Sequence, residues 1–83
     1  MNVPYKDRVV LSENLFIEMD IKKIGEDYKF SIVLIKDGKR VFGFDNHESK
    51  PAHKHVGNKV YDYKLEGIDK LVEDFYEGLE NYM

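Results

Sequence analysis

The chain has 83 residues, enough for one hydrophobic core, so we expect a single domain over residues 1–83. Its 42% hydrophobic and 13% aromatic content excludes a disordered segment, and the lack of cysteine excludes disulfides and thiolate metal sites. The first residues lack the continuous apolar run of a signal peptide, and no stretch approaches the roughly 20 apolar residues of a membrane span, so we expect a cytoplasmic protein with no membrane contact.

Alternating apolar residues predict strands in the first third of the chain. Every second residue from Leu15 to Ile21 is apolar, which is the period of a strand with one buried face, so residues 15–24 should form one. The apolar run Val9–Leu11 predicts a shorter strand before it, and Ser12–Asn14 should form the turn between them.

A second hairpin is predicted after a turn at Gly25–Asp27. Residues 28–35 are rich in β-branched and aromatic side chains, which indicates a central strand with both faces covered. Asp37-Gly38 then lies between two strand-like runs, and both residues tolerate positive φ, as a tight hairpin turn requires. Residues 40–45 complete this hairpin, with their phenylalanines in the core, and residues 59–64 alternate again as a later strand.

The C-terminal third has the spacing of an amphipathic helix from about Gly67 to Asn81. Its apolar stripe consists of Ile68, Leu71, Val72, Phe75, Leu79 and Tyr82, and acidic residues occupy the other faces. The two patterns together predict an α+β fold. We expect an antiparallel β-meander of about four strands with one C-terminal amphipathic helix packed across the sheet.

All three histidines, His47, His53 and His55, fall within nine residues. Residues 45–58 also contain several turn-forming residues, so most of this segment should be a loop. If residues 53–55 are extended, both of their imidazoles project to one side while Lys54 points away. Imidazole exchanges protons near neutral pH and is also the commonest metal ligand.

The charge distribution favours one of the chemistries open to this cluster. Residues 36–64 carry seven basic and four acidic groups, whereas residues 65–83 carry one and six, so a polyanion would be drawn to the histidine region. In one interpretation, His53 and His55 bind a divalent metal with Asp45 or His47. In the other, the two histidines are acid and base on a phosphodiester. Solvated loop histidines are the structural alternative to both.

The runs Phe44-Asp45-Asn46-His47 and Pro51-Ala52-His53-Lys54-His55-Val56-Gly57, followed by an acidic helix, resemble the TumE-type toxins of prokaryotic toxin-antitoxin pairs. The resemblance extends from about Asn14 to Glu80. It implies a β-meander with a histidine-rich loop, a helix-turn-helix antitoxin as partner, and action on RNA or translation. Members commonly have two adjacent histidines before the final one, and this chain has Ala52 in place of the first.

We therefore predict a toxin-like protein that acts on RNA as a ribonuclease, with no metal and no cofactor. The alternative is a non-enzymatic binding module that contacts a protein partner or a divalent metal. A homodimer is compatible with the small size of the domain. The predicted site comprises the catalytic residues His53, His55 and Asp45, and the binding residues Arg40, Asn46, His47, Lys50 and Lys54.

Overall fold

The computed structural model describes residues 5–46 and 51–83, which form one antiparallel sheet and one helical segment. The strands are β1 (Tyr5–Ser12), β2 (Leu15–Ile24), β3 (Asp27–Lys36), β4 (Lys39–Asp45), β5 (His53–Val56) and β6 (Lys59–Asp62). They are followed by helix α1 (Ile68–Leu79) and a 3-10 turn (Glu80–Tyr82). The α+β prediction is confirmed, but the described residues form six strands in chain order, so the estimate of about four was too low.

Tight turns set the register of most of the meander. Two residues connect each neighbouring pair of strands except β4 and β5. At the predicted hairpin, Asp37 has φ 53° and Gly38 has φ 77°, so both turn residues are left-handed, as a twist-matched hairpin requires. The turn predicted at Gly25–Asp27 is shorter by one residue, because Asp27 already begins β3.

The core lies between helix α1 and one face of the sheet. Phe42 and Phe44 of β4 are each only 2% exposed, which confirms their predicted core positions. The Phe42 and Phe75 rings stack with their centroids 5.5 Å apart. Leu71, Phe75 and Leu79 are the buried residues of α1, so the predicted apolar stripe is the face that packs on the sheet. No helix in residues 5–46 or 51–83 is long and apolar enough to cross a membrane.

The segment predicted to be mostly loop contains a strand. Strand β5 pairs with β4 in a register that sets Phe42 opposite Val56 and Asp45 opposite His53. Its residues are half-buried and include two histidines and a lysine, so no apolar alternation marks the strand in the sequence. Backbone pairing with β4 and β6 stabilises it in place of a buried apolar face.

The face of the sheet opposite α1, called the open face below, carries no helix in the described part of the chain. One polar row crosses it, because directly paired residues share a face. In strand order the row is Lys6, Asp20, Ser31, Asp45, His53 and Asp62. The expectation that both faces of β3 are covered holds in part: only one face packs against the helix, while Val33 on the open face is still buried, with 8% exposed.

Candidate functional site

Three of the predicted site residues meet on the open face. Strand alternation places His53 and His55 on this side, as the extended geometry predicted, and the register adds Asp45 beside them. Gly43 lies opposite His55 and contributes no side chain. A Cβ at Gly43 would stand 2.7 Å from the Ile32 carbonyl oxygen, so the backbones pack too closely there for a larger residue.

The shortest polar contact of the site joins His55 to Asp45. His55 Nε2 lies 3.2 Å from Asp45 Oδ1, and both side chains are about three-quarters buried, with 24% and 28% exposed. An ionised carboxylate only accepts hydrogen bonds, so Nε2 is the donor and Nδ1 of the neutral ring keeps its lone pair. Asp45 therefore orients the imidazole ring, which is the arrangement of a carboxylate-supported general base.

Arg40 brings a positive charge to the same carboxylate. Its Nη1 atom lies 4.0 Å from Asp45 Oδ2, and more than half of the side chain is exposed. Gly43 lies between Arg40 and Asp45 along β4 and contributes no side chain to the open face there. An exposed guanidinium in this position can contact an anion held against the open face.

His53 is positioned by strand pairing in the polar row and has no strong side-chain partner among the described residues. Its Nε2 atom is 3.8 Å from Asp62 Oδ1, but Asp62 is 99% exposed, so solvent weakens this interaction. His53 and His55 are two residues apart on one strand, which separates their Cβ atoms by about 7 Å. That spacing leaves room for one small group between the two imidazoles.

The side chain of Asn46, which was predicted to bind a ligand, forms hydrogen bonds to the backbone of β3. The Phe30 N–H donates to Asn46 Oδ1 at 2.8 Å, and Asn46 Nδ2 donates to the Tyr28 carbonyl at 2.7 Å. The Asn46 N–H also donates to the Phe30 carbonyl at 3.2 Å. The side-chain amide thus extends the pairing between β4 and β3 by another step and positions the chain directly after Asp45.

Lys54 lies on the other side of the sheet from the two histidines. Its Nζ atom stands 5.7 Å from the Phe42 ring centroid and 5.9 Å from that of Phe44, beneath the acidic helix. The structure therefore does not bring Lys54 to the histidine pair. The predicted residues His47 and Lys50 lie outside the described residues, so their positions in the site stay predictions.

A hydrogen-bonded cluster near Lys54 contains three titrating groups with shifted pKa values, Tyr63, Lys70 and Asp74. The Tyr63 hydroxyl donates to Asp74 at 2.6 Å, and Lys70 Nζ donates to the same carboxylate at 2.7 Å. The hydrogen bonds from Lys70 and Tyr63 lower the pKa of Asp74. Burial and the bond to Asp74 raise the pKa of Tyr63. This cluster fastens α1 to the chain after β6 and takes no part in the histidine site.

A cationic cleft, which no sequence pattern predicted, lies next to the site. The cleft has a volume of about 310 Å³, and the side chains that line it are Asp20, Lys22, Lys29, Phe30, Ser31, Arg40, Asp45 and Asn46. Lys22 and Lys29 are direct neighbours across β2 and β3. A two-residue turn that starts at Gly25 sets Ile24 opposite Asp27, and counting outward along both strands from that pair sets Lys22 opposite Lys29. Within residues 5–46 and 51–83, no three His, Asp or Glu residues are grouped to hold a metal ion.

Comparison with known proteins identifies one family. The family model described as Toxin TumE matches residues 2–83, which is nearly the whole chain. No curated protein and no solved structure matches the chain significantly.

Proposed function

The chain belongs to the TumE toxin family, and from this premise we propose that it is the toxin of a toxin-antitoxin pair and that it cleaves RNA. The observation that supports this best is the contact of 3.2 Å between His55 Nε2 and Asp45 Oδ1, with His53 and Arg40 on the same open face. In this proposal His55 acts as the base, His53 as the acid and Arg40 as the cation on one phosphodiester.

The reaction follows from the roles of these groups. His55, held by Asp45, removes the proton from a ribose 2′-hydroxyl, and the 2′-oxygen attacks the adjacent phosphorus. His53 donates a proton to the departing 5′-oxygen, while Arg40 stabilises the negative charge that develops on the phosphoryl oxygens. The P–O5′ bond breaks as the P–O2′ bond forms. The products are a 2′,3′-cyclic phosphate and a 5′-hydroxyl, and neither metal nor cofactor enters the balance.

Cleavage of total cellular RNA by the purified chain tests this function. We expect wild-type protein to produce 2′,3′-cyclic phosphate ends, and we expect His53→Ala and His55→Ala each to slow cleavage by about 100-fold or more. RNA with 2′-O-methyl groups should resist cleavage. If wild-type protein leaves RNA intact, or both variants cleave normally, the ribonuclease proposal fails and a binding module becomes the better account.

We propose that the partner is an antitoxin of the helix-turn-helix type. One feature that supports a basic partner is the exposed acidic side of the C-terminal helical segment, formed by Asp69, Glu73 and Glu77 of α1 and Glu80 of the 3-10 turn. Expression of the chain alone should arrest growth, and co-expression of a neighbouring helix-turn-helix reading frame should relieve the arrest. Growth that is unaffected by the chain alone would contradict the toxin role.

A further inference from the structure

The cationic cleft lies one side-chain row away from the polar row that contains Asp45. Lys22 and Lys29 occupy the next row along β2 and β3, and Ser31 and Asp45 belong to the polar row. Successive rows on one face are about 7 Å apart, a distance comparable with the step from one backbone phosphate to the next in a nucleic acid strand. An RNA chain whose reacting phosphate is held at His55 and Arg40 could therefore continue into the cleft.

The two lysines of this cleft are poorly neutralised. Cross-strand pairs elsewhere on the open face join opposite charges, with Lys6 3.9 Å from Asp20 and Arg8 3.7 Å from Glu18. Lys22 and Lys29, however, are like charges directly opposite each other, which is an unfavourable arrangement. Neither lysine has an ion-pair partner within the part of the chain that the structure describes.

The carboxylates of the cleft are already engaged. Asp20 contacts Lys6, and Asp45 contacts His55 and Arg40. The Ser31 hydroxyl lies on the cleft wall between them and can donate to an oxyanion. The cleft thus combines two unneutralised ammonium groups and a hydroxyl donor, which are the groups that bind phosphate oxygens in nucleic acid complexes.

We propose that the Lys22–Lys29 cleft binds the RNA phosphate adjacent to the one that is cleaved. This assignment rests on the proposed function, because it orders the two phosphates along one RNA strand. The cleft would give the enzyme affinity for a polynucleotide over a dinucleotide, since a dinucleotide has no phosphate to place there. An anion between the two ammonium groups also removes their mutual repulsion.

Binding of a short, labelled 2′-O-methyl oligouridylate tests the proposal, because this probe carries backbone phosphates and cannot be cleaved through a 2′-oxygen. The test variant is Lys22→Gln/Lys29→Gln. The matched control is Lys36→Gln/Lys39→Gln, which removes a like-charged pair that is also directly opposite but lies at the other end of β3. Fluorescence anisotropy at several salt concentrations gives the affinity and its salt dependence.

We expect the test variant to bind about tenfold more weakly and to lower the slope of log K against log salt by about 0.7, as for one lost phosphate contact. The control variant should change the affinity and the salt slope by less than the test variant does. An equal loss in both variants would show attraction by net charge alone and overturn the proposal, as would wild-type affinity in the test variant. Inorganic phosphate that displaces the probe at an equal phosphate concentration would assign the cleft to free phosphate instead.

The anisotropy measurement tests RNA binding at the cleft even if the protein does not cleave RNA. If cleavage is observed, the test variant should lower kcat/KM for an oligonucleotide and leave kcat/KM for a dinucleotide unchanged. Loss on both substrates would place the lysines in the catalytic centre and overturn the subsite. The Tm of the test variant should not fall, because the substitution relieves like-charge repulsion on an exposed surface.

Discussion

Three consecutive residues at the end of β4 have three different roles. Phe44 enters the core, Asp45 holds the His55 ring on the open face, and Asn46 fastens the end of β4 to β3. The alternation of a strand explains why the first two point to opposite sides. Asn46 then replaces a backbone pair with its side-chain amide, so the position of Asp45 depends on the residue that follows it.

Replacing Asn46 should cost stability because two backbone groups of β3 lose their partners. We expect Asn46→Ala to lower the free energy of unfolding by about 1–3 kcal/mol. Urea unfolding followed by circular dichroism measures the change, with the exposed Asn58→Ala as control. A loss no larger than that of the control would show that the amide bonds to Tyr28 and Phe30 do not hold the strand end.

The cluster around Asp74 should make stability depend on pH at both extremes. The pKa of Asp74 is lowered by the hydrogen bonds from Lys70 and Tyr63, so its contribution is present above about pH 4 and is lost as pH falls through the folded-state pKa. The pKa of Lys70 is raised by its bond to Asp74, and that of Tyr63 by burial. Their contributions are present below about pH 10 and are lost as pH rises further.

Thermal unfolding across pH checks the acid limb of this prediction. Wild-type Tm should fall below about pH 4 more steeply than the Tm of Asp74→Asn, because the variant has no carboxylate to protonate at this position. Asp69→Asn, on the exposed side of the same helix, should follow the wild-type slope. Parallel acid limbs for wild type and Asp74→Asn would contradict the assigned pairing.

Helix α1 packs closely on the sheet at Gly78. A Cβ added there would overlap the ring of Phe42, which is packed between Phe44 and Phe75 and has little room to move. In an isolated helix, alanine is favoured over glycine by about 1 kcal/mol. Here the contact with Phe42 should outweigh that gain, because the ring can only shift by disturbing its neighbours.

We therefore expect Gly78→Ala to lower the free energy of unfolding by about 1–3 kcal/mol, the usual cost of overpacking a core. Glu77→Ala, at the exposed neighbouring position, should be nearly neutral. Chemical denaturation of both variants measures the difference. A stabilised Gly78→Ala protein would mean that helix and sheet are not in the close contact described above.

Elements with a periodic pattern could be predicted from the sequence, and those without one could not. Strand β2 and helix α1 bury one apolar face each, so their spacing predicts them, and the Asp37-Gly38 turn has its own chemical signature. Strand β5 and the first half of β1 consist of polar or half-buried residues. They are strands because neighbouring strands pair with them, which no local pattern records.

The candidate site also has features that a local pattern predicts and features that depend on the pairing of distant strands. Alternation alone predicts that His53 and His55 share a side, but the contact between His55 and Asp45 depends on the register of β4 against β5. The segment between these strands is longer than a tight turn and does not determine that register. Lys22 and Lys29 come from an earlier hairpin, so only the assembled sheet brings them beside Arg40.

In the whole molecule, the two faces of the sheet differ in composition and in role. One face and α1 form the apolar core, and the open face carries the polar row and the cationic cleft. The charge count along the sequence assigned the positive region to residues 36–64. In the fold, Lys54 of that region lies under the helix, whereas the cleft lysines Lys22 and Lys29 come from the residues before it.

The rate of RNA cleavage by Asp45→Asn tests whether Asp45 and His55 act together in catalysis, because this substitution keeps the size of the side chain and removes the charge that supports His55. The control is Asp69→Asn, the same chemical change on the opposite side of the molecule. We predict that Asp45→Asn cleaves about 100-fold or more slowly than wild type, while Asp69→Asn is unchanged. Equal cleavage by the two variants would contradict the account.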